Sequence, residues 1–106
     1  MKKYITDRTL EKTIEDKLVD LVKKYGGRCE KLVNVGFSGF PDRSLLLPGG
    51  LIIFVETKRP KGGRYSALQN KWRDWLTALG FHYYRIKDKE QLAAFELILL
   101  DELGRK

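Results

Sequence analysis

Three charged side chains flank two apolar runs in the stretch GFPDRSLLLPGGLIIFVETKR: Asp42 precedes the first run, and Glu56 and Lys58 follow the second. Pro48-Gly49-Gly50 separates the runs and predicts a hairpin. With a three-residue loop, Leu47 faces Leu51, and counting outward brings Asp42 opposite Glu56. Side chains paired in this way lie roughly 4.5–5.5 Å apart, a spacing at which like charges destabilise a sheet. Alternation along the second strand places Ile52, Phe54, Glu56 and Lys58 on one face. Asp42, Glu56 and Lys58 are therefore expected to converge at one end of the hairpin.

Two adjacent carboxylates repel unless one takes up a proton or a cation lies between them. Two carboxylates, a backbone carbonyl and water are oxygen donors suited to Mg2+ or Mn2+. An ion held there lowers the pKa of water and polarises a phosphoryl oxygen, the two requirements of phosphodiester hydrolysis. A neighbouring Lys58 would activate a water or neutralise charge on a phosphorane-like transition state. The plainer alternative makes Asp42 a turn cap after Pro41, with Glu56 and Lys58 marking where a strand emerges into solvent. Against it stands the apolar run Leu51–Val55, which reads as a central strand whose charged end lies against the sheet.

The elements that must position these groups follow from periodicity. Leu10, Ile14, Leu18, Leu21, Val22 and Tyr25 recur at helical spacing, and Gly26-Gly27 stops that helix. Strands are predicted over Arg28–Asn34, Asp42–Leu47 and Leu51–Lys58, with a loop at Gly36–Gly39 and a basic, glycine-rich loop at Arg59–Tyr65. Ser66 opens a second helix, with Gln69 in capping-box spacing; its apolar positions are Leu68, Trp72, Trp75, Leu76 and Leu79, and Gly80 ends it. Its tryptophan stripe is assigned to the core. Phe81–Ile86 forms a fourth strand, and Asp88 with Gln91 makes a second capping box opening a helix that runs to about Glu102. The order α-β-β-β-α-β-α predicts an α/β fold, with a mixed sheet of about four strands flanked by helices, in one domain over residues 1–106.

Composition narrows the partners. Lys and Arg number 21 against 14 Asp and Glu, a net charge of +7, which suits a polyanion such as nucleic acid. One Cys and one His exclude an internal disulfide and a thiolate or imidazole zinc site. No apolar run is long enough to span a membrane, and the N-terminus does not read as a signal peptide, so a cytoplasmic setting is expected.

Gly39-Phe-Pro-Asp42, thirteen residues, then Glu56-Thr-Lys58 resembles the PD-(D/E)xK nuclease signature. The longer series, with Pro-Gly-Gly after the first strand and Leu-Gln, Trp and Leu-Gly-Phe beyond, is similar to the virus-type replication-repair nuclease (VRR-NUC) family. The resemblance spans about Glu11 to Asp88. It implies a restriction-endonuclease-like core that hydrolyses DNA with Mg2+ or Mn2+. Asp42, Glu56 and the Thr57 carbonyl would be metal ligands, and Lys58 the catalytic lysine. It also implies an acid on the first helix and a glutamine that falls on Gln69. Family members often carry an apolar residue where this chain has Thr57, a side chain expected on the opposite sheet face. Small stand-alone members resemble phage proteins and dimeric junction resolvases, so branched DNA, a four-way junction above all, and a homodimer are expected in a phage or bacterial host cytoplasm. Flap or duplex cleavage by the same fold is the near alternative, and a non-catalytic nucleic-acid-binding module the distant one.

Several residues keep two readings. At roughly 100° per residue, Glu11 lies roughly 45° from the centre of the first helix's apolar stripe and Glu15 roughly 85°, on the same side. Glu11 is thus the more enclosed candidate, with Glu15 one turn further along. Gln69 either completes the cap at Ser66 or reaches the active site. Arg59, Lys61 and Arg64, among glycines that let a backbone come close, suit phosphate gripping, and Arg43 either holds a phosphate or faces solvent. His82 reads as an ordinary strand residue. The last helix is apolar nearly all round from Leu92 to Leu100 and calls for cover on more than one face, which a second subunit would supply.

Overall fold

The computed structural model describes residues 7–32, 38–58 and 64–104, with side chains from Lys12 onward. The first helix, α1 (Asp7–Lys24), carries Ile14, Leu18 and Val22 on one buried stripe. It ends where Gly26 takes φ +82° and Gly27 donates to the Val22 carbonyl at 2.9 Å. Gly27 is required for a second reason. A Cβ there would lie 2.6 Å from the Leu46 carbonyl oxygen, so only glycine lets the chain pass this close to the next strand.

Four strands form one mixed sheet in the order β1 (Arg28–Lys31), β2 (Arg43–Leu47), β3 (Leu51–Thr57) and β4 (His82–Ile86). The first two pairings are antiparallel and the third is parallel. Leu47 pairs with Leu51 and Arg43 with Val55, the register expected from a three-residue loop. That loop is a short 3-10 turn, Pro48–Gly50, with Gly49 at φ +78°. β2 is one residue shorter than expected, so Asp42 stands just outside it, its carbonyl accepting from Leu32 N–H at 2.8 Å. β1 ends at Lys31; its expected extension includes Val33 and Asn34, outside the described residues.

α1 and the last helix, α3 (Lys89–Gly104), cover one sheet face. Ile14, Leu18, Val22, Leu45, Ile53, Val55, Ile86, Phe95 and Leu99 close a continuous apolar core there. Burying each such side chain contributes about 1.5–3 kcal/mol before conformational entropy is set against it. The other face is covered by α2 (Ala67–Ala78). Its capping box forms as expected: Gln69 N–H donates to Ser66 Oγ at 3.1 Å, and Ser66 N–H donates to Gln69 Oε1 at 2.8 Å.

The tryptophan stripe is not core. Trp75 is 49% exposed and Trp72 half-buried, and they join Phe40, Phe54 and Phe81 in an edge-to-face series of rings. A single 12-residue helix leaves much of this sheet face open, whereas two helices seal the other. The cap of α3 also differs from expectation. Asp88 Oδ1 accepts from Gln91 N–H at 2.8 Å, but Gln91 Oε1 accepts from Lys87 N–H, one residue before the N-cap. α3 buries Phe95 and Leu99 and leaves Leu97 and Leu100 exposed. Among the described residues, no helix is long and apolar enough to cross a membrane.

Candidate active site

The C-terminal end of β3 gathers the charged residues singled out by spacing, and it divides them between the two sheet faces. Thr57 turns toward α1, where its side chain enters the acidic group. Its Oγ1 lies 2.8 Å from Asp42 Oδ2 and 3.0 Å from Glu15 Oε1, and its N–H donates to Asp42 Oδ1 at 3.2 Å. A hydroxyl has one proton to donate. Two carboxylates on one hydroxyl therefore share that proton, or one of them carries a proton of its own. Arg43 Nη2 approaches Glu15 Oε2 at 3.5 Å and supplies the local counter-charge.

Burial holds the Asp42 carboxyl above its usual range, and Glu15 adds to this; the Thr57 hydroxyl and amide and the Arg43 charge work against it. Glu56 is shifted further, to about 8. Burial is the main cause, with the Asp42 charge second, while Lys58 and Arg85 oppose both. Glu56 is only 3% exposed, and its Oε2 has no hydrogen-bond partner among the described residues. A buried carboxylate oxygen without a donor is costly, and a cation would remove that cost.

Gly39 explains part of the local motif. It adopts φ +82°, and a Cβ on it would lie 2.8 Å from the Leu68 carbonyl carbon and 2.9 Å from the Gln69 amide nitrogen. Glycine at this point seats the Phe40-Pro41-Asp42 turn against the start of α2. Ser38 O accepts from Trp72 Nε1–H at 3.1 Å, pinning the same turn.

Comparison with known proteins fits this arrangement. The chain is 42% identical over 84 residues to “Putative nuclease p44” of Acyrthosiphon pisum secondary endosymbiont phage 1, covering 79% of this chain and 88% of that protein. A solved structure described as a VRR_NUC domain superposes with a TM-score of 0.75 at 25% identity, covering 80% of this chain and 91% of the other. The chain belongs to the VRR-NUC nuclease family. No family model matches it.

In this VRR-NUC nuclease the structure brings together Asp42, Glu56, Thr57 and Glu15 at one end of β3, and Lys58 follows directly. Glu15 is the helix-one acid seen in contact with the group, while the Glu11 side chain lies outside the described residues. Gln69 is occupied in its cap through Oε1. The Arg43 side chain is 12% exposed and turned toward Glu15. Arg64 is exposed, and Arg59 and Lys61 lie outside the described residues. His82 Nε2 sits 3.9 Å from Glu102 Oε2, away from these groups.

Two features escaped the sequence reading. The Thr57 side chain does lie on the opposite sheet face, and its hydroxyl there meets Asp42 Oδ2 and Glu15 Oε1, a role its position alone did not announce. Arg85 was not singled out, although it pairs in register with Glu56 and lies on its face. The available signal was an arginine placed between Tyr83, Tyr84 and Ile86 in a strand.

Proposed function

We propose that this nuclease is a Mg2+- or Mn2+-dependent DNA endonuclease acting on branched DNA, four-way junctions in particular, as a homodimer in the cytoplasm of a bacterial host. The observation that carries the metal dependence is the buried, unpartnered Glu56 Oε2 next to Asp42. The donor set fits a hard divalent ion. Among the described residues, no three carboxylate, His or Cys side chains are gathered into a cage of their own. Mg2+ seldom uses such a cage, being held by one or two carboxylates together with waters and substrate phosphate.

Asp42, Glu56 and the Thr57 carbonyl would hold the ion, with Glu15 fixed behind them through the Thr57 hydroxyl. When bound, such an ion lowers the pKa of water and draws charge from a phosphoryl oxygen. The protein does the rest. Glu56 and Asp42 fix the position of attack, and the Lys58 ammonium, 5.7 Å from the Tyr65 ring centroid, offsets negative charge developing on the phosphoryl group. Water oxygen bonds to phosphorus and releases a proton to solvent, the bridging P–O bond breaks, and the freed oxygen takes up a proton.

The +7 net charge supports a nucleic-acid substrate, and exposed Leu97 and Leu100 on α3 support a subunit contact. The decisive experiment is cleavage of a labelled four-way junction, a flap and a linear duplex with Mg2+, Mn2+ or EDTA. Lys58→Ala and Asp42→Asn proteins run alongside. Metal-dependent cutting that both variants lose, strongest on the junction, is the expected result. Cutting of flap or duplex in preference overturns the branched-DNA reading, and binding without cutting overturns the catalytic one. A sedimentation mass of one chain at micromolar concentration overturns the dimer.

A further inference from the structure

On the α2 side of the sheet, Arg85 is hydrogen-bonded by neutral partners beside Glu56. Its guanidinium carbon stacks 3.7 Å from the Tyr65 ring centroid. Its Nε donates to the Tyr83 hydroxyl at 2.9 Å and its Nη2 to Asn70 Oδ1 at 2.7 Å. Every one of these partners is uncharged. Among the described residues, no carboxylate lies within ion-pair distance of Arg85, although it is the register partner of Glu56. A half-buried guanidinium has five N–H donors, and neutral partners fix its direction while leaving other donors and the whole charge available.

Lys58 lies near the same ring. Its Nζ lies 5.7 Å from the centroid of the same Tyr65 ring. Two cations on one aromatic ring repel each other, and the ring's π-electrons offset only part of that repulsion. An anion brought beside both lowers what is left. Beside Glu56 and Lys58, that anion is the phosphodiester brought for cleavage.

We infer that Arg85 is a phosphate-contacting residue of this active site, forming with Lys58 a two-cation clamp on the scissile phosphate, with Tyr65 and Asn70 as the positioning residues that aim it. The inference rests on the nuclease reading above. The guanidinium fork faces two non-bridging oxygens, a geometry that an ammonium cannot reproduce.

The test compares wild-type, Arg85→Met, Arg85→Lys and Asn70→Ala full-length proteins. Each is measured for binding to a fluorescent DNA duplex in EDTA across a salt series, for cleavage with Mn2+, and for thermal midpoint. Arg85→Met is expected to lower the log K against log salt slope by about one. It should also reduce kcat about 10²–10³-fold. Arg85→Lys should keep the slope, having kept the charge, and lose most of the rate with the fork. Asn70→Ala should keep the slope and lose less rate than Arg85→Met. A wild-type slope and rate in Arg85→Met overturn the inference. So does an Arg85→Lys protein whose slope falls and whose midpoint drops as in Arg85→Met, because a buttress fails with either substitution. Failure of the nuclease reading looks different: wild type cuts nothing with any metal, while the EDTA slope still decides whether Arg85 meets a phosphate.

Discussion

The end of β3 presents two unlike sides. Toward α1, hydrogen bonds run from Asp42 through the Thr57 hydroxyl and amide to Glu15, and an ion pair continues to Arg43, over the apolar core. Toward α2, among the described residues, Glu56 Oε2 lacks a donor and Arg85 lacks an ion-pair partner, and Trp75 and Phe81 are exposed. One side ties its acids to one hydroxyl and one guanidinium, with the Arg43 Nε–H its unpartnered buried donor among the described residues, and the other keeps unmatched charge of both signs. Alternation along a single strand produces the separation, because Thr57 and Glu56 are neighbours in sequence and point to opposite faces. In the function proposed above, the first side would position the acids, and the second is where an ion and a phosphate would find complementary charge.

The largest effect should come from the unmatched side. Lys58→Ala and Glu56→Gln are expected to reduce cleavage at least ~10³-fold with folding intact, as read by single-turnover rates and circular dichroism. A Lys58→Ala protein of normal rate would break the distinction between the sides. Next comes the framework. Thr57→Val keeps the shape and removes the hydroxyl, leaving Asp42 and Glu15 to face each other without it. Activity should fall about 10–100-fold, as for other groups that orient metal ligands. Stability should fall about 1–3 kcal/mol in urea denaturation, the cost of an unmet buried polar group.

A smaller effect is visible in pH alone. Folded Glu56 keeps its proton up to about 8, whereas the unfolded carboxyl loses it near 4.5. Between those values the native state binds more protons, so stability is greatest at the acid end of that window and falls as pH rises through it. The upward shift of Asp42 acts in the same direction. In EDTA the thermal midpoint should therefore drop between about pH 5 and pH 8, and Glu56→Gln should flatten the curve by removing the group responsible. The smallest effect is expected away from both sides. Lys12→Ala, which breaks an exposed i,i+4 pair with Asp16 at 3.7 Å, should leave midpoint and cleavage unchanged within error.

Much of the site was legible because its geometry is local. Pro48-Gly49-Gly50 fixed a three-residue turn, which set the register from Leu47–Leu51 out to Arg43–Val55, and Ser66 with Gln69 announced the cap that forms. The helical wheel of α1 was a weaker guide. It ranked Glu11 and Glu15 by angle from the apolar stripe, but contact with the acidic group also depends on how far along its axis the helix crosses the sheet end, and Glu15 is the acid seen there. The tryptophans misled for a related reason. Periodicity marks which side of a helix is apolar without saying how much of the opposing sheet that helix covers.

The sequence by itself determined the element order and the hairpin register, since turn length and strand alternation act over a few residues. Only the tertiary structure decided that Thr57 ties Asp42 to Glu15, that Arg43 is enclosed, and that Arg85 comes alongside Glu56. Those placements depend on the crossing of α1 over the sheet and on the parallel docking of β4 after α2. Both are set by packing between segments distant in the chain, for which no short stretch of sequence carries the register.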